Sequence, residues 1–216
     1  MSPCYIQENM ITALMVTFND MPLLQRAIKS IYGKVDKIIC VDGRYKDFPD
    51  FTGHLYSTDG TIEYLRSLNK VELRFVANIY QSDKRNEYLR DLRRGQTVLM
   101  IDADEIVEGN IPELNSDIGL VKFSELNNRY EKWLATRLFK YHEGMKYGGV
   151  HFILEVNGKL FNKRRSAENG FTSEKVSGMK IIHLAILRDK SRKYYKSQFY
   201  KTSGPREAQY KKASYE

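Results

Sequence analysis

The sequence predicts an α/β fold built on one mixed sheet, parallel in its first half and mixed in its second. Three observations carry that expectation. Apolar runs alternate with amphipathic helical stretches through residues 11–101, several of those runs end in acids, and the alternation yields to strand-rich segments after Glu105. A strand–helix rhythm implies parallel strands joined by crossover helices. Continuous apolar strands belong in sheets covered on both faces.

Residues 11–18 (ITALMVTF) form the first apolar strand, and Asn19, Asp20 and Pro22 after it are helix-start signals. Leu23, Leu24, Ala27, Ile28 and Ile31 follow at helical spacing until Gly33 stops them. Residues 35–41 (VDKIICV) make the second strand, which ends in Asp42-Gly43. A loop of residues 44–56 precedes Ser57-Thr58-Asp59-Gly60-Thr61, where Thr58 or Asp59 should cap a helix over 62–68. Residues 71–76 alternate as a strand, and residues 82–94 read as a basic helix capped by Ser82 or Asp83 and ended by Gly95.

Residues 98–101 (VLMI) are the strand around which the rest is organised, because Asp102, Asp104 and Glu105 follow it directly. Two acids flanking one small residue at the end of a buried strand repel each other and call for a cation. Mg²⁺ or Mn²⁺ suits them, taking one or two carboxylates together with substrate phosphates. Ligands of open α/β sheets bind outside the carboxyl ends of the strands. Phe18, Asp42, Asp102 and Asp104 should therefore converge on one cleft.

Beyond Glu105, residues 119–123 and 133–139 read as strands, and Tyr147-Gly148-Gly149 as a turn or bulge. Residues 150–156 and 159–161 form a hairpin through Asn157-Gly158, which supplies the positive φ of a type I′ turn. Residues 163–178 read as a polar mobile loop, residues 179–182 as a last strand leading to His183, and the remainder as a basic helix or flexible tail. The domain expectation is one domain over 1–187, divided near residue 110, with 188–216 as the tail.

Composition narrows the function classes. The chain has 216 residues, 42% hydrophobic and 29% charged, which describes an ordinary globular protein. Of the net charge of +8, the nine basic and three acidic residues from Arg188 onward contribute +6, leaving +2 for everything before them. A basic tail on a near-neutral body points to one anionic contact rather than a nucleic-acid-binding surface. A peripheral membrane contact through the tail stays open, whereas no segment approaches the length of a membrane span. Cys4 and Cys40 follow no metal spacing and read as reduced thiols, which points to a cytoplasmic setting.

Taken in order, residues 11–20 (ITALMVTFND), Asp42-Gly43, Ser57-Thr58-Asp59-Gly60-Thr61, Lys84-Arg85-Asn86 and Ile101-Asp102-Ala103-Asp104-Glu105 resemble the family-2 glycosyltransferases. The resemblance covers about residues 10–110 and, more loosely, the stretch to Arg188. It implies a GT-A, Rossmann-like fold with a nucleotide-binding half and an acceptor half. It also implies a UDP- or GDP-sugar donor, a divalent metal (Mn²⁺ or Mg²⁺), and transfer to an acceptor hydroxyl with inversion. Thr17, Phe18, Asp42, Arg85 and Asp102 would then bind the nucleotide. Asp102, Asp104 and His183 would hold the metal, and Arg188, Lys190 and Arg192 the diphosphate.

The chain departs from the family pattern twice. Residues 44–56 separate the strand-end acid from the Ser-Thr-Asp-Gly-Thr segment, and the acidic pair that often supplies the base after D-x-D is absent. Candidates for that base are Glu155 and His151, with Glu125 behind them; the first two lie four apart and so share a strand face.

Rival readings fit less of the chain. A D-x-D phosphatase would place Thr or Val where Ile106 stands and would begin nearer the N-terminus. A nucleotidyltransferase would carry a glycine-rich basic loop where Asn19-Asp20-Met21-Pro22 stands. A nucleic-acid-binding module would use the tail but leave the buried-strand acids without a purpose.

Overall fold

The computed structural model describes residues 10–49, 53–127, 133–148, 153–162 and 165–213, with side chains described as far as residue 201. Strand β1 (Ile11–Thr17) leads through α1 (Leu23–Ile31) to β2 (Lys37–Asp42), followed by α2 (Thr61–Arg66), β3 (Val71–Phe75), α3 (Gln81–Glu87) and β4 (Thr97–Met100). The second half adds β5 (Glu105–Gly109), β6 (Ile118–Glu125), β7 (Trp133–Lys140), β8 (Met145–Gly148), β9 (Ile153–Val156), β10 (Lys159–Leu160) and β11 (Ser173–His183). A 3₁₀ turn (Ala185–Leu187) and α4 (Lys190–Ala213) complete it.

Eight strands form one sheet in the order β3-β2-β1-β4-β7-β6-β11-β5, and β10-β9-β8 form a second, smaller one. Strands β1 to β4 pair in parallel, as does β6 with β11. Antiparallel pairs join β4 to β7, β6 to β7, and β5 to β11. This is a mixed, Rossmann-like sheet of the GT-A type, parallel in its first half.

The sheet is apolar on both faces because both are covered. Ala13 and Met15 of β1 pack with Leu24, Ala27, Ile28 and Ile31 of α1. Leu14 and Val16, pointing the other way, pack with Tyr88, Leu89 and the small sheet's Met145, Tyr147 and Leu154. That two-residue alternation is the pleat of a strand, and the helical stripe on α1 is its 3.6-residue counterpart.

Several expected elements differ. Strand β11 begins at Ser173, so residues 173–178 belong to the sheet rather than to a loop. Their polarity concealed it: only Val176 turns inward, while Glu174 accepts from the backbone N–H groups of Asn115 and Ser116. Tyr147-Gly148 ends β8 instead of forming a turn, and β5 starts at Glu105 itself. The basic helix stops at Glu87. Gly60, not Thr58 or Asp59, occupies the cap position of α2, and Tyr80, not Ser82 or Asp83, that of α3. Asp59 instead accepts from the N–H groups of Met21 and Thr61, tying the two helix starts together. Both Asn157 and Gly158 have positive φ between β9 and β10, as a type I′ hairpin needs.

Candidate functional site

At the carboxyl end of β4 the chain turns outward, and three acids meet a set of cations. One Oδ of Asp102 accepts from Arg85 Nη2 at 2.5 Å, and the other lies 3.7 Å from Arg137 Nη2. Glu105 turns back: one carboxylate oxygen accepts from the Asp102 N–H at 2.9 Å and the other from Arg137 Nη2 at 2.5 Å. Burial pushes Glu105 up to about 7, against the pull of Arg137.

Asp104 faces the opposite side. Its Oδ2 lies 3.0 Å from His183 Nε2, 2.9 Å from Arg188 Nε and 3.8 Å from Lys196 Nζ. Burial alone would push this carboxyl up, but the His183 hydrogen bond and the Lys196 and Arg188 charges outweigh it and hold it well below the usual range. His183 Nδ1 lies 3.1 Å from Glu125 Oε2, so the imidazole bridges two carboxylates. Burial pulls His183 down, yet its bonds to Asp104 and Glu125 leave its pKa raised.

Arg188 spans two acids, reaching Asp20 Oδ1 from Nη1 at 2.7 Å as well as Asp104. Asp20 is buried and also accepts from the Phe18 N–H at 3.1 Å. Four residues further on, in the first turn of α4, Arg192 donates to the carbonyl of Phe18 and stacks its guanidinium 5.0 Å from the Phe48 ring centre. Its Nε and Nη1 are buried with no hydrogen-bond partner among the described residues. Phe199, another two turns along α4, lies parallel to Tyr45 at 5.7 Å and 5.2 Å from Phe48. Together these groups enclose a cavity of about 70 Å³, with aromatic walls at one end and Asp20, Asp104, Arg188, Arg192 and Lys196 at the other.

The sequence-predicted residues fall into three groups. Thr17, Phe18, Arg85, Asp102, Asp104, Arg188 and Arg192 all line this cavity, and His183 touches it through Asp104. Asp42 and Lys190 do not line it. Asp42 is fully buried, with one oxygen accepting from the Ser57 N–H at 3.0 Å and the other from Ser57 Oγ at 2.5 Å. Lys190 is exposed at the first position of α4. Glu155 sits half-buried on β9 in the small sheet and lines neither this cavity nor the one beside Trp133. His151 lies outside the described residues.

Asp20, Lys196, Tyr45 and Phe48 were not anticipated, whereas the tail aromatics Phe199 and Tyr200 read from the sequence as a lid, a lipid-surface contact or a nucleic-acid contact. Two signals could have found Asp20 and Lys196. Asp20 closes an apolar strand as Asp102 does, and Arg192 and Lys196 are basic four residues apart, the spacing of one helical face. The inserted loop explains itself in space. Arg44 N–H donates to the Leu55 carbonyl at 2.8 Å and Ser57 returns to Asp42, so the insertion closes on its own stem while Tyr45 and Phe48 reach the cavity.

Whether a divalent metal suits the site depends on its donors. Asp104 Oδ2 and His183 Nε2 face each other at 3.0 Å, but among the described residues no third His, Cys, Asp or Glu joins them in a metal-holding group. Such a pair fits Mg²⁺ or Mn²⁺ only where substrate phosphate and water complete the shell. Among the described residues no helix is long and apolar enough to cross a membrane.

No family model matches the chain, and no curated protein matches it. Among solved structures it is similar to S. aureus TarS residues 1–349, with 21% identity and a TM-score of 0.41 over 56% of this chain and 37% of that one. A second S. aureus TarS structure aligns with 20% identity and a TM-score of 0.41 over 56% of this chain and 23% of that one. TarS 1–349 in complex with UDP-GlcNAc aligns with 21% identity and a TM-score of 0.40, over 56% and 36%. The matched region therefore spans well under two thirds of each of those chains.

Proposed function

We propose that this chain is a nucleotide-sugar-dependent glycosyltransferase that moves a sugar from a nucleoside diphosphate to an acceptor hydroxyl. One observation carries the reading. Arg192 holds two buried, unpartnered donors in a cavity already lined by Arg188, Lys196 and the D-x-D carboxylates. An unsatisfied buried donor costs roughly 1–3 kcal/mol, and a diphosphate would satisfy both at once. The aromatic end, walled by Phe18, Tyr45 and Phe48, offers a base a stacking surface.

In the reaction proposed, the acceptor oxygen bonds to the anomeric carbon as the carbon–diphosphate oxygen bond breaks, and the hydroxyl proton passes to a base. Single displacement inverts the anomeric centre. Arg188, Arg192 and Lys196 would bind the departing diphosphate, whose developing charge is the main target for electrostatic catalysis. Asp104 and His183 would hold the divalent metal, which when bound supplies further neutralisation of that charge. Glu125, on Nδ1, would keep His183 oriented with Nε2 toward Asp104, the usual service of a carboxylate behind a metal-binding histidine. Arg85 and Arg137 would keep Asp102 ionised and aimed at the cavity.

The cavity of about 70 Å³ is far smaller than the roughly 300–1,000 Å³ of ligand sites. Phe199 occupies the face of Tyr45, so α4 acts as a lid that must withdraw before the donor enters. Calorimetric titration of the intact chain with UDP, GDP and CMP, each with and without Mn²⁺, tests the reading. Metal-dependent binding of one nucleoside diphosphate, lost in Asp104→Ala, is expected. Absence of binding by all three nucleotides would overturn it.

A further inference from the structure

A second cavity, about 520 Å³, is lined by Trp133, Phe123 and Arg137 among others. We propose that it is a saccharide-binding acceptor subsite in which a pyranose ring lies against Trp133. The acceptor role rests on the glycosyltransferase reading; the saccharide chemistry rests on the cavity itself.

Strand β7 builds the wall. Trp133, Ala135, Thr136 and Arg137 all line the cavity, because the β6–β7 register shifts by one residue beside Arg137 and breaks the simple alternation of side chains there. Trp133 is 49% exposed although it is the largest apolar side chain in the protein. It is nonetheless held in place: Phe123, its register partner on β6, stacks beneath it at 5.1 Å and 20°. A rigid, half-bare indole at the mouth of a concavity is a binding surface rather than a core residue out of place.

The lining then selects the ligand class. Met100, Leu154 and Phe161 make a buried apolar floor, while Thr136, Arg137 and Asn162 put polar groups at its side. A pyranose presents one face of C–H groups and an edge of hydroxyls, which matches an indole plate beside amide, hydroxyl and guanidinium groups. An acyl chain has no use for the polar edge. A nucleotide would call for several cations around its phosphates, and among the described lining residues Arg137 is the one cation. The volume lies within the range typical of small-molecule sites.

Two contacts tie the cavity to the D-x-D end of β4. Phe123 lies 5.9 Å from the His183 ring and 5.3 Å from the Arg137 guanidinium, and Arg137 in turn reaches Glu105 and Asp102. A sugar held on Trp133 would therefore sit one side chain from the groups assigned to the donor.

Trp133 is the single tryptophan of the chain, so its emission reports on this site alone. The intact protein would be titrated with methyl glycosides of glucose, galactose, mannose and N-acetylglucosamine, with cellobiose and maltose, and with sorbitol and decanol as controls. A saturable emission change with at least one cyclic glycoside, and none with sorbitol, is expected. Calorimetry with that glycoside should show about a tenfold loss of affinity in Trp133→Ala, and a smaller loss in Trp133→Phe, which keeps an aromatic plate. The same variants should bind nucleoside diphosphate as the parent does. A response to decanol alone, or to none of the compounds, would overturn the proposal. Glycoside binding without any nucleotide binding would keep the saccharide site and remove the transferase reading instead.

Discussion

Arg192 Nη2 donates to the main-chain carbonyl of Phe18 at 2.5 Å, joining α4 to the end of β1 across 174 positions. That bond fixes the base of a guanidinium whose other nitrogens remain unsatisfied. Replacing Arg192 by Ala is expected to weaken nucleoside diphosphate binding by roughly tenfold or more, since hydrogen bonds to charged groups contribute about 1.5–3 kcal/mol. Affinity for the matching nucleoside, which lacks phosphates, should change little. Paired calorimetric titrations check this, and equal losses for both compounds would show that Arg192 supports the base instead.

Phe199 makes the opposite case. It fills the face of Tyr45 and packs on Phe48 in a small aromatic cluster with Phe18. Phe199→Ala should lower thermal stability and tighten nucleotide binding, because the lid no longer competes for the slot. Weaker binding in a folded variant would make Phe199 part of the base platform.

Glu125 acts through His183. Glu125→Ala should lower Mn²⁺ affinity of the nucleotide-bound protein about 10- to 100-fold, the usual cost of losing a partner behind a metal ligand. Glu125→Gln, which keeps an acceptor oxygen, should lose less.

Lys84 sets a pH dependence. Burial pulls its pKa down to about 7, against the opposing pull of Asp42 and Asp20, and its ammonium donates to the carbonyls of Thr17 and Gly43. Between about pH 7 and its ordinary value the unfolded chain binds a proton that the folded chain does not. Stability should therefore rise with pH through that window, by up to about 1.4 kcal/mol per unit. Lys84→Met should lack this rise. Denaturant unfolding of both proteins at pH 7, 8 and 9 measures the difference in slope.

Much of this architecture is legible in the sequence because burial on two faces leaves an unambiguous apolar run. Residues 11–18 and 98–101 are such runs, and the acids that end them mark where the sheet opens to a ligand. The strand at 173–178 was not legible, since a strand with one inward residue has neither apolar continuity nor clean alternation. Strand β5 hid behind its own acids: Glu105 follows the D-x-D directly, yet it opens the strand with its side chain folded back to hold the Asp102 N–H and Arg137. The small side-chain set at 188, 192 and 196 was only half read. Tail composition announced an anion, but choosing Lys190 over Lys196 ignored helical spacing. No local pattern announces that residues 44–56 close on Asp42, because the contact that explains them is made by Ser57, after the insertion has ended.

The bond between Arg192 and Phe18 also has a consequence in time. At about 5–20 residues per second, the ribosome adds the 174 positions between them in roughly 9–35 s. Asp20 waits 168 positions for Arg188 and Asp104 waits 84, while the Phe18 carbonyl stands without its donor throughout. The parallel half of the sheet can be fully paired while its carboxyl edge still carries uncompensated negative charge. The nascent chain thus passes through a stage that is structured but electrostatically incomplete, and its last helix supplies the neutralising charge.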